Sequence, residues 1–390
     1  MKFIKKFFKW LFILLVVGCI ALYALGYGYL FTAVKTIYFN GHTTAFLEDY
    51  KEFDNHIIPA SSHPEAWPIH TNYNTVKATD QLNTLNTDNK SVAYLIIKND
   101  SLWYEEYFDG YDKDSKSNSF SMAKTMVSAL LGNAIMSGDI KSLEEPVVKY
   151  FPDLPGKYAK DLTVGDLSSM ASGMEWDESY YSPFSVTTQA YFDKDLRSVM
   201  LDIPIISEPG KEYIYLSGNT QLLGMVIAKA TGKSLAENFE EKFWQPMGAE
   251  NEALWQVDSE EHGMEKAYCC IASNARDFAR MGKLYKDGGV WNGKRILPKA
   301  FVLKSTHARF KESPEYGYGL WLMHHRNKDF FMLRGHLGQY VIVQPEDNVI
   351  IVRLGHTRPE ERLYPGDPFT ADTYGYIDEA YKMMEHATAN

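Results

Sequence analysis

From Trp10 to Val34 the chain carries no charged residue, and Lys9 and Lys35 bracket the gap. A run of roughly 25 such positions can cross a bilayer as a tilted helix. Lys2, Lys5, Lys6 and Lys9 precede the run, whereas Lys35 alone comes closely after it. That asymmetry predicts a cytoplasmic N-terminus and a body on the periplasmic or extracytoplasmic side. Tyr23, Tyr27 and Tyr29 fall where the outer interface would lie. Two other readings compete. One is a cleaved signal peptide, for which the run is long and lacks an A-x-A site. The other is a lipoprotein box at Val16-Val17-Gly18-Cys19, although the sequence stays apolar well past Cys19. The expectation is an uncleaved, single-pass membrane anchor.

The rest of the chain can bury a large core, since the 390 residues are 45% apolar and 14% aromatic. One big domain or two subdomains would suit that size. The formal net charge is −10 despite the four lysines at the N-terminus, so the body is more acidic than that figure. An acidic body argues against nucleic acid as a partner. Of three cysteines, Cys269 and Cys270 are adjacent. Neighbouring cysteines seldom pair without strain, so they are expected as small buried residues and no disulfide framework is implied. Residues 36–90 are polar and contain Pro59, Pro64 and Pro68, which reads as an irregular linker. His42, His56, His63 and His70 lack ligand spacing, and no metal is expected.

Strand-like runs occur near both ends of the body. Val92–Ile97 and Leu102–Tyr107 form a hairpin through Asn99-Asp100, and Phe330–Leu333, Gln339–Val343 and Val349–Leu354 close the chain before a helix from Tyr374 to Met384. Between them the pattern is helical, with starts at Thr163, near Leu222 and at Ala275. The fold class predicted is α+β: an antiparallel sheet flanked by helices, built from both ends of the chain, with an inserted all-α lobe. The expected boundaries are 1–35 for the anchor, 36–90 for the linker, and 91–390 for the body. Within the body the sheet lobe covers 91–115 and 262–390, and the helical lobe covers 116–261.

One stretch carries chemistry. Met122, Met126, Val127, Leu130, Leu131, Ala134 and Ile135 recur at helical spacing, so a helix with one face in a core is expected after the polar run 115–119. Ser121 lies in its first turn, where free N–H groups and the dipole favour a negative oxygen. Lys124 is one turn away on the same face. A desolvated lysine has a lowered pKa and can take a serine proton. Alone, S-x-x-K is a weak signal.

Its force comes from a series of downstream motifs in a set order: Leu167-Ser168-Ser169-Met170-Ala171-Ser172-Gly173, Glu208-Pro209-Gly210 with Tyr215 and Leu222-Leu223-Gly224, Trp291-Asn292-Gly293, and His336-Leu337-Gly338. Over roughly residues 90–385 this series resembles the beta-lactamase-related serine hydrolases, which include class C beta-lactamases, D,D-peptidases and family VIII esterases. Tyr215-Leu216-Ser217-Gly218-Asn219-Thr220 and the stretch 263–270 are most similar to the 6-aminohexanoate-dimer hydrolase group. The resemblance implies Ser121 as nucleophile, Lys124 as general base and Tyr215 as proton relay. It also implies backbone N–H groups of Ser121 and Gln339 as the oxyanion hole, and no cofactor.

Two departures bear on substrate. Ser217 stands where the lactamase branch has an asparagine, with Asn219 displaced by two, and His336-Leu337-Gly338 replaces Lys-Thr-Gly. A mostly neutral histidine and a leucine would grip a carboxylate weakly, which favours esters or linear amides over beta-lactams. Ser217, His336 and Gly338 are expected at the substrate. So are Trp176 and Asp177, from an aromatic-acidic patch with Glu175, Tyr180 and Tyr181. The expectation is an esterase or amidase acting on a small molecule. A D,D-peptidase or weak beta-lactamase is the first alternative, and a catalytically silent binding protein the second.

Overall fold

The computed structural model describes residues 2–389. Its centre is a six-stranded antiparallel sheet drawn from both ends of the body. The strand order is Ser101–Tyr107, Ser91–Lys98, Val349–Gly355, Gln339–Gln344, Lys328–Gly335 and Trp321–His325. Alternate side chains serve opposite faces, as strand geometry requires. Tyr94, Ile96, Ile351 and Ile342 pack under the C-terminal helix Ala371–Ala389 and the helix Asp80–Asp88. Leu95, Ile97, Val352 and Val341 share the larger core with Phe278, Met281 and Leu284 of the helix Ala275–Lys286. The α+β expectation is therefore met, with the helical layer inserted between the two halves of the sheet.

The helix Ala123–Ser137 departs from the one-faced expectation. Every residue from Ala123 to Ala134 is buried. It is central because helices cover it on several sides and because its polar residues are paired internally: Thr125 Oγ1 donates to the Gly319 carbonyl at 2.5 Å, and Ser128 Oγ meets Ser168 Oγ at 2.6 Å. Gly138 closes it with a left-handed φ of 87°.

The 36–90 segment is not a loose linker. Leu47, Asp49, Ile58, Trp67 and Leu82 are fully or almost fully buried. Asn55–Ile58 forms the edge of a second antiparallel sheet, followed by Ala253–Gln256, Ile271–Ser273 and Ser117–Asn118. Two of those strands lie inside the span expected to be all helical. They are too short to show a two-residue alternation, and only long-range pairing reveals them.

The uncharged run also folds differently from one long span. A helix covers Lys2–Ala24, and its apolar stretch within Phe3–Ala24 is long enough to cross a membrane and equally suits a signal sequence. It breaks at Gly26, whose φ of 84° suits glycine. A short helix, Tyr29–Ala33, then turns onto the body. There Tyr29 and Ile37 are buried against Phe192, and the Tyr29 hydroxyl donates to the Pro183 carbonyl at 3.0 Å.

Candidate active site

Ser121 sits in a tight turn, Phe120–Met122, that leads into the helix Ala123–Ser137. Phe120 has a φ of 45°, a conformation that costs a bulky residue about 1–3 kcal/mol unless its surroundings enforce it. Here they do. Asn118 Oδ1 accepts the Phe120 N–H at 2.8 Å, and Asn118 Nδ2 donates to Asp49 at 2.8 Å. Asp49 also accepts from the Tyr191 hydroxyl at 2.6 Å and from Gln256 Nε2 at 3.0 Å. Ser119 is bonded both ways to Ile271 of the small sheet. The short strands thus hold the turn that presents Ser121. Strand Lys328–Gly335 comes so near that a Cβ on Gly335 would lie 2.2 Å from the Ser119 carbonyl oxygen.

Lys124 is buried, and its Nζ lies 2.9 Å from Ser121 Oγ and donates to the Tyr268 carbonyl at 2.9 Å. Burial lowers its pKa to about 8, against an opposing pull from Glu178. About a tenth of it is therefore neutral at pH 7 and half near pH 8, and a neutral amine in contact with a hydroxyl can accept its proton. Lys124 also lies 5.0 Å from the centre of the Tyr215 ring. The Tyr215 phenol is raised above its usual pKa, chiefly by burial, while a hydrogen bond with Ser121 pulls it partly back. The structure thus brings together the three side chains expected from sequence.

The other expected residues divide. Ser217 is buried beside the site, with its N–H and hydroxyl both donating to Glu178, at 2.7 and 2.6 Å. Glu178 also accepts from the Tyr180 hydroxyl. It organises the site although sequence reasoning passes over it in favour of its neighbours. Those neighbours are misplaced. Trp176 turns inward, donating to Thr187 Oγ1 at 2.8 Å, and Asp177 closes a local turn by accepting from the Ser179 N–H at 3.0 Å. Tyr180 and Tyr181 of the same patch do line the cleft. Gly338 is not among the cleft-lining residues. It has a φ of 81°, a Cβ there would lie 2.4 Å from Arg353 Nη1, and that guanidinium binds the carbonyls of Leu337 and Gly338 at 2.9 Å each. The Gln339 side chain is likewise used in the backbone, bonding His336 and Gly355, and the residue opens the strand Gln339–Gln344.

His336 lines the cleft, with its ring edge-on to Phe120 and stacked on Tyr180 at 5.7 Å. Burial and Arg358 lower its pKa to about 4, so it is neutral near pH 7 as expected. The positive charge lost from that position returns from elsewhere in the chain. Arg334, Arg358 and Arg362 line the cleft beside Tyr215 and Trp321. Arg334 lies over Trp321 at 4.8 Å and donates to the Pro368 carbonyl, while Arg358 Nη1 is buried with no hydrogen-bond partner among the described residues. The expectation of a weak anion grip concerned His336-Leu337-Gly338 alone and did not count these arginines.

Next to the site, Cys269 and Cys270 are joined by a disulfide, against the expectation of two separate thiols. The left-handed φ of 77° at Cys270 turns the chain sharply between Tyr268 and Ile271.

Residues 77–373 match the beta-lactamase family. Among curated proteins, the chain is similar to the 6-aminohexanoate-dimer hydrolase of Paenarthrobacter ureafaciens, with 26% identity over 54% of this chain and 55% of that protein. It is also similar to the teichoic acid D-alanine hydrolase of Staphylococcus aureus, with 26% identity over 54% of each. The chain spans about half the length of these curated relatives. Among solved structures, one assigned as a 6-aminohexanoate-dimer hydrolase of Bacillus anthracis superposes with a TM-score of 0.70. That match has 22% identity and covers 87% of this chain and 92% of the other, so it speaks to the fold.

Proposed function

The chain belongs to the beta-lactamase family, and from that premise we propose that it is a serine hydrolase that cleaves an ester or linear amide through an acyl-enzyme on Ser121. One observation carries this reading: Lys124 Nζ touches Ser121 Oγ at 2.9 Å while its pKa is lowered to about 8. Neutral Lys124 takes the hydroxyl proton as Oγ bonds to the substrate carbonyl carbon. Negative charge then develops on the carbonyl oxygen, which the N–H groups of Ser121 and Gln339 would face. Tyr215, close to both Lys124 and Ser121, passes the proton to the departing alcohol or amine. Water, deprotonated by the same pair, releases the acyl group and restores Ser121.

The curated relatives are hydrolases by name, which supports the reaction class. Tyr215 shares its side of the cleft with Arg334, Arg358 and Arg362, so the leaving portion is proposed to carry an anionic group. The same arginines favour the second reading, a carboxylate-bearing D,D-peptide or beta-lactam. Labelling by a fluorescent penicillin would separate the two. We infer further that Phe3–Ala24 is retained as an anchor with the body outside the cytoplasm. Support comes from the lysines before it and from the packing of Tyr29 and Ile37 just after it.

Turnover of p-nitrophenyl butyrate by the full chain tests the catalytic reading. Ser121→Ala should abolish it, and retained activity in that variant would overturn the assignment.

A further inference from the structure

The cleft around Ser121 has a second compartment, on the side away from the arginines. It is a partly open hollow with about 140 Å3 of room for the centres of water-sized groups. Its walls come from two distant parts of the chain: Ala33, Ile37 and Ala45 of the segment that succeeds the N-terminal helix, and Tyr181, Pro183 and Phe192 of the body. Among the described residues, no aspartate, glutamate, lysine or arginine lines it. Thr43, Thr44, Ser182 and Thr188 stand among the apolar residues, so an ionic group would lie there uncompensated whereas the apolar part of the wall suits hydrocarbon.

The first wall is fixed in place. Tyr27 meets Phe184 edge-on at 5.7 Å, and the Tyr29 hydroxyl is bonded to Pro183. Tyr181 of the lining is 71% exposed, and Phe39 and Phe184, next in sequence to the lining residues Tyr38 and Pro183, are 80% and 65% exposed. The apolar stretch of the helix Phe3–Ala24 is likewise not buried against the body. Exposed aromatics beside the end of a membrane-length helix mark the level of a bilayer surface. With that helix across a bilayer, the compartment would lie near the headgroup level, walled in part by the segment that follows the helix.

We propose that this compartment receives the long acyl chain of a membrane-borne amphiphile, which enters from the bilayer past residues 180–184 and presents its ester or amide carbonyl to Ser121. The proposal rests on the hydrolase reading and names its substrate class. Ser121 Oγ bonds to the acyl carbon as the bond to the head group breaks. The head group departs on the arginine side, carrying the proton relayed by Lys124 and Tyr215. Water then frees the fatty acid and returns a proton to Ser121.

The test uses the full chain reconstituted in phosphatidylcholine–phosphatidylglycerol vesicles. Three presentations are compared at equal bulk concentration: p-nitrophenyl butyrate in water, p-nitrophenyl palmitate in the same vesicles, and the palmitate ester in separate vesicles. Palmitate in the shared bilayer should turn over at least about tenfold faster than butyrate, because confinement raises its effective concentration at the mouth. Ala45→Phe should lower the palmitate-to-butyrate ratio about tenfold, as expected for overfilling a packed site. If that variant fails to fold, Phe184→Glu on the exposed rim should lower the same ratio. A ratio unmoved by either variant would overturn the acyl pocket, and equal palmitate rates from shared and separate vesicles would overturn entry from the bilayer. If butyrate is inert as well, the hydrolase reading itself fails, and the proposal with it.

Discussion

The two compartments beside Ser121 share Tyr180, His336 and the nucleophile, yet differ in every other respect. One is walled by uncharged, largely apolar side chains of the segment that follows the N-terminal helix and of the 180–192 region; the other holds Tyr215 and three arginines. A hydroxyl attacking a carbonyl has no inherent preference for which substituent goes where. The surroundings impose one. In the proposed reaction Tyr215 and the cations lie together, so the departing group would be directed to their side and the acyl group to the other.

The broadest attack on that comparison is Ser121→Ala. It should cut turnover by roughly 10³-fold or more whichever compartment the substrate fills, as loss of a nucleophile does. Residual turnover that depended on acyl length would point to a different attacking group. Lys124→Ala should cost roughly 10²–10⁴-fold, the usual size of a general-base contribution.

Next comes pH. Lys124 is lowered from 10.5 to about 8, so it is protonated below that value and able to accept a proton above it. kcat/KM should therefore climb from pH 6 and level off above about 8, and a flat profile over that range would remove Lys124 as the base. Tyr215→Phe should then separate the two sides. The loss is expected to be larger for an amide, whose amine must be protonated to leave, than for a p-nitrophenyl ester, whose phenolate leaves unaided. Equal losses would make Tyr215 a packing residue. Smallest is Arg358→Ala, which should raise KM about tenfold for a substrate with an anionic leaving portion and little for a neutral one, since charged hydrogen bonds are worth about 1.5–3 kcal/mol. A uniform rise would assign Arg358 to structure alone.

The side chains proposed as catalytic are legible in the sequence because each stands in a short motif at a fixed place in a series. The walls are not. Ala45, Tyr181, Arg358 and Arg362 reach the cleft from separate stretches, and no local pattern links them. In the loop after Gly173 the composition points to the cleft but does not say which side chains face it. Trp176 and Asp177 turn away while Glu178 and Tyr180 turn in, a choice set by the Thr187 and Ser217 contacts. Asp49 is hidden by the polar composition of 36–90, although Phe46, Leu47, Tyr50 and Trp67 in that stretch are the signal of a buried segment.

A lowered lysine pKa does not by itself find the base. Lys266 is also fully buried and lowered to about 7, but it lies over the Phe53 ring at 3.4 Å and its Nζ has no hydrogen-bond partner among the described residues. Contact with a hydroxyl distinguishes Lys124, and that contact arises from the one-turn spacing to Ser121.

The central claim is that Ser121 carries the acyl group, and the most direct measurement is the mass of the protein after reaction with a fluorophosphonate, with peptide mapping of the product. The account predicts a single adduct on Ser121 that forms faster as pH rises toward 8 and is absent from Ser121→Ala. An adduct on another residue, or none on a folded protein, would contradict it.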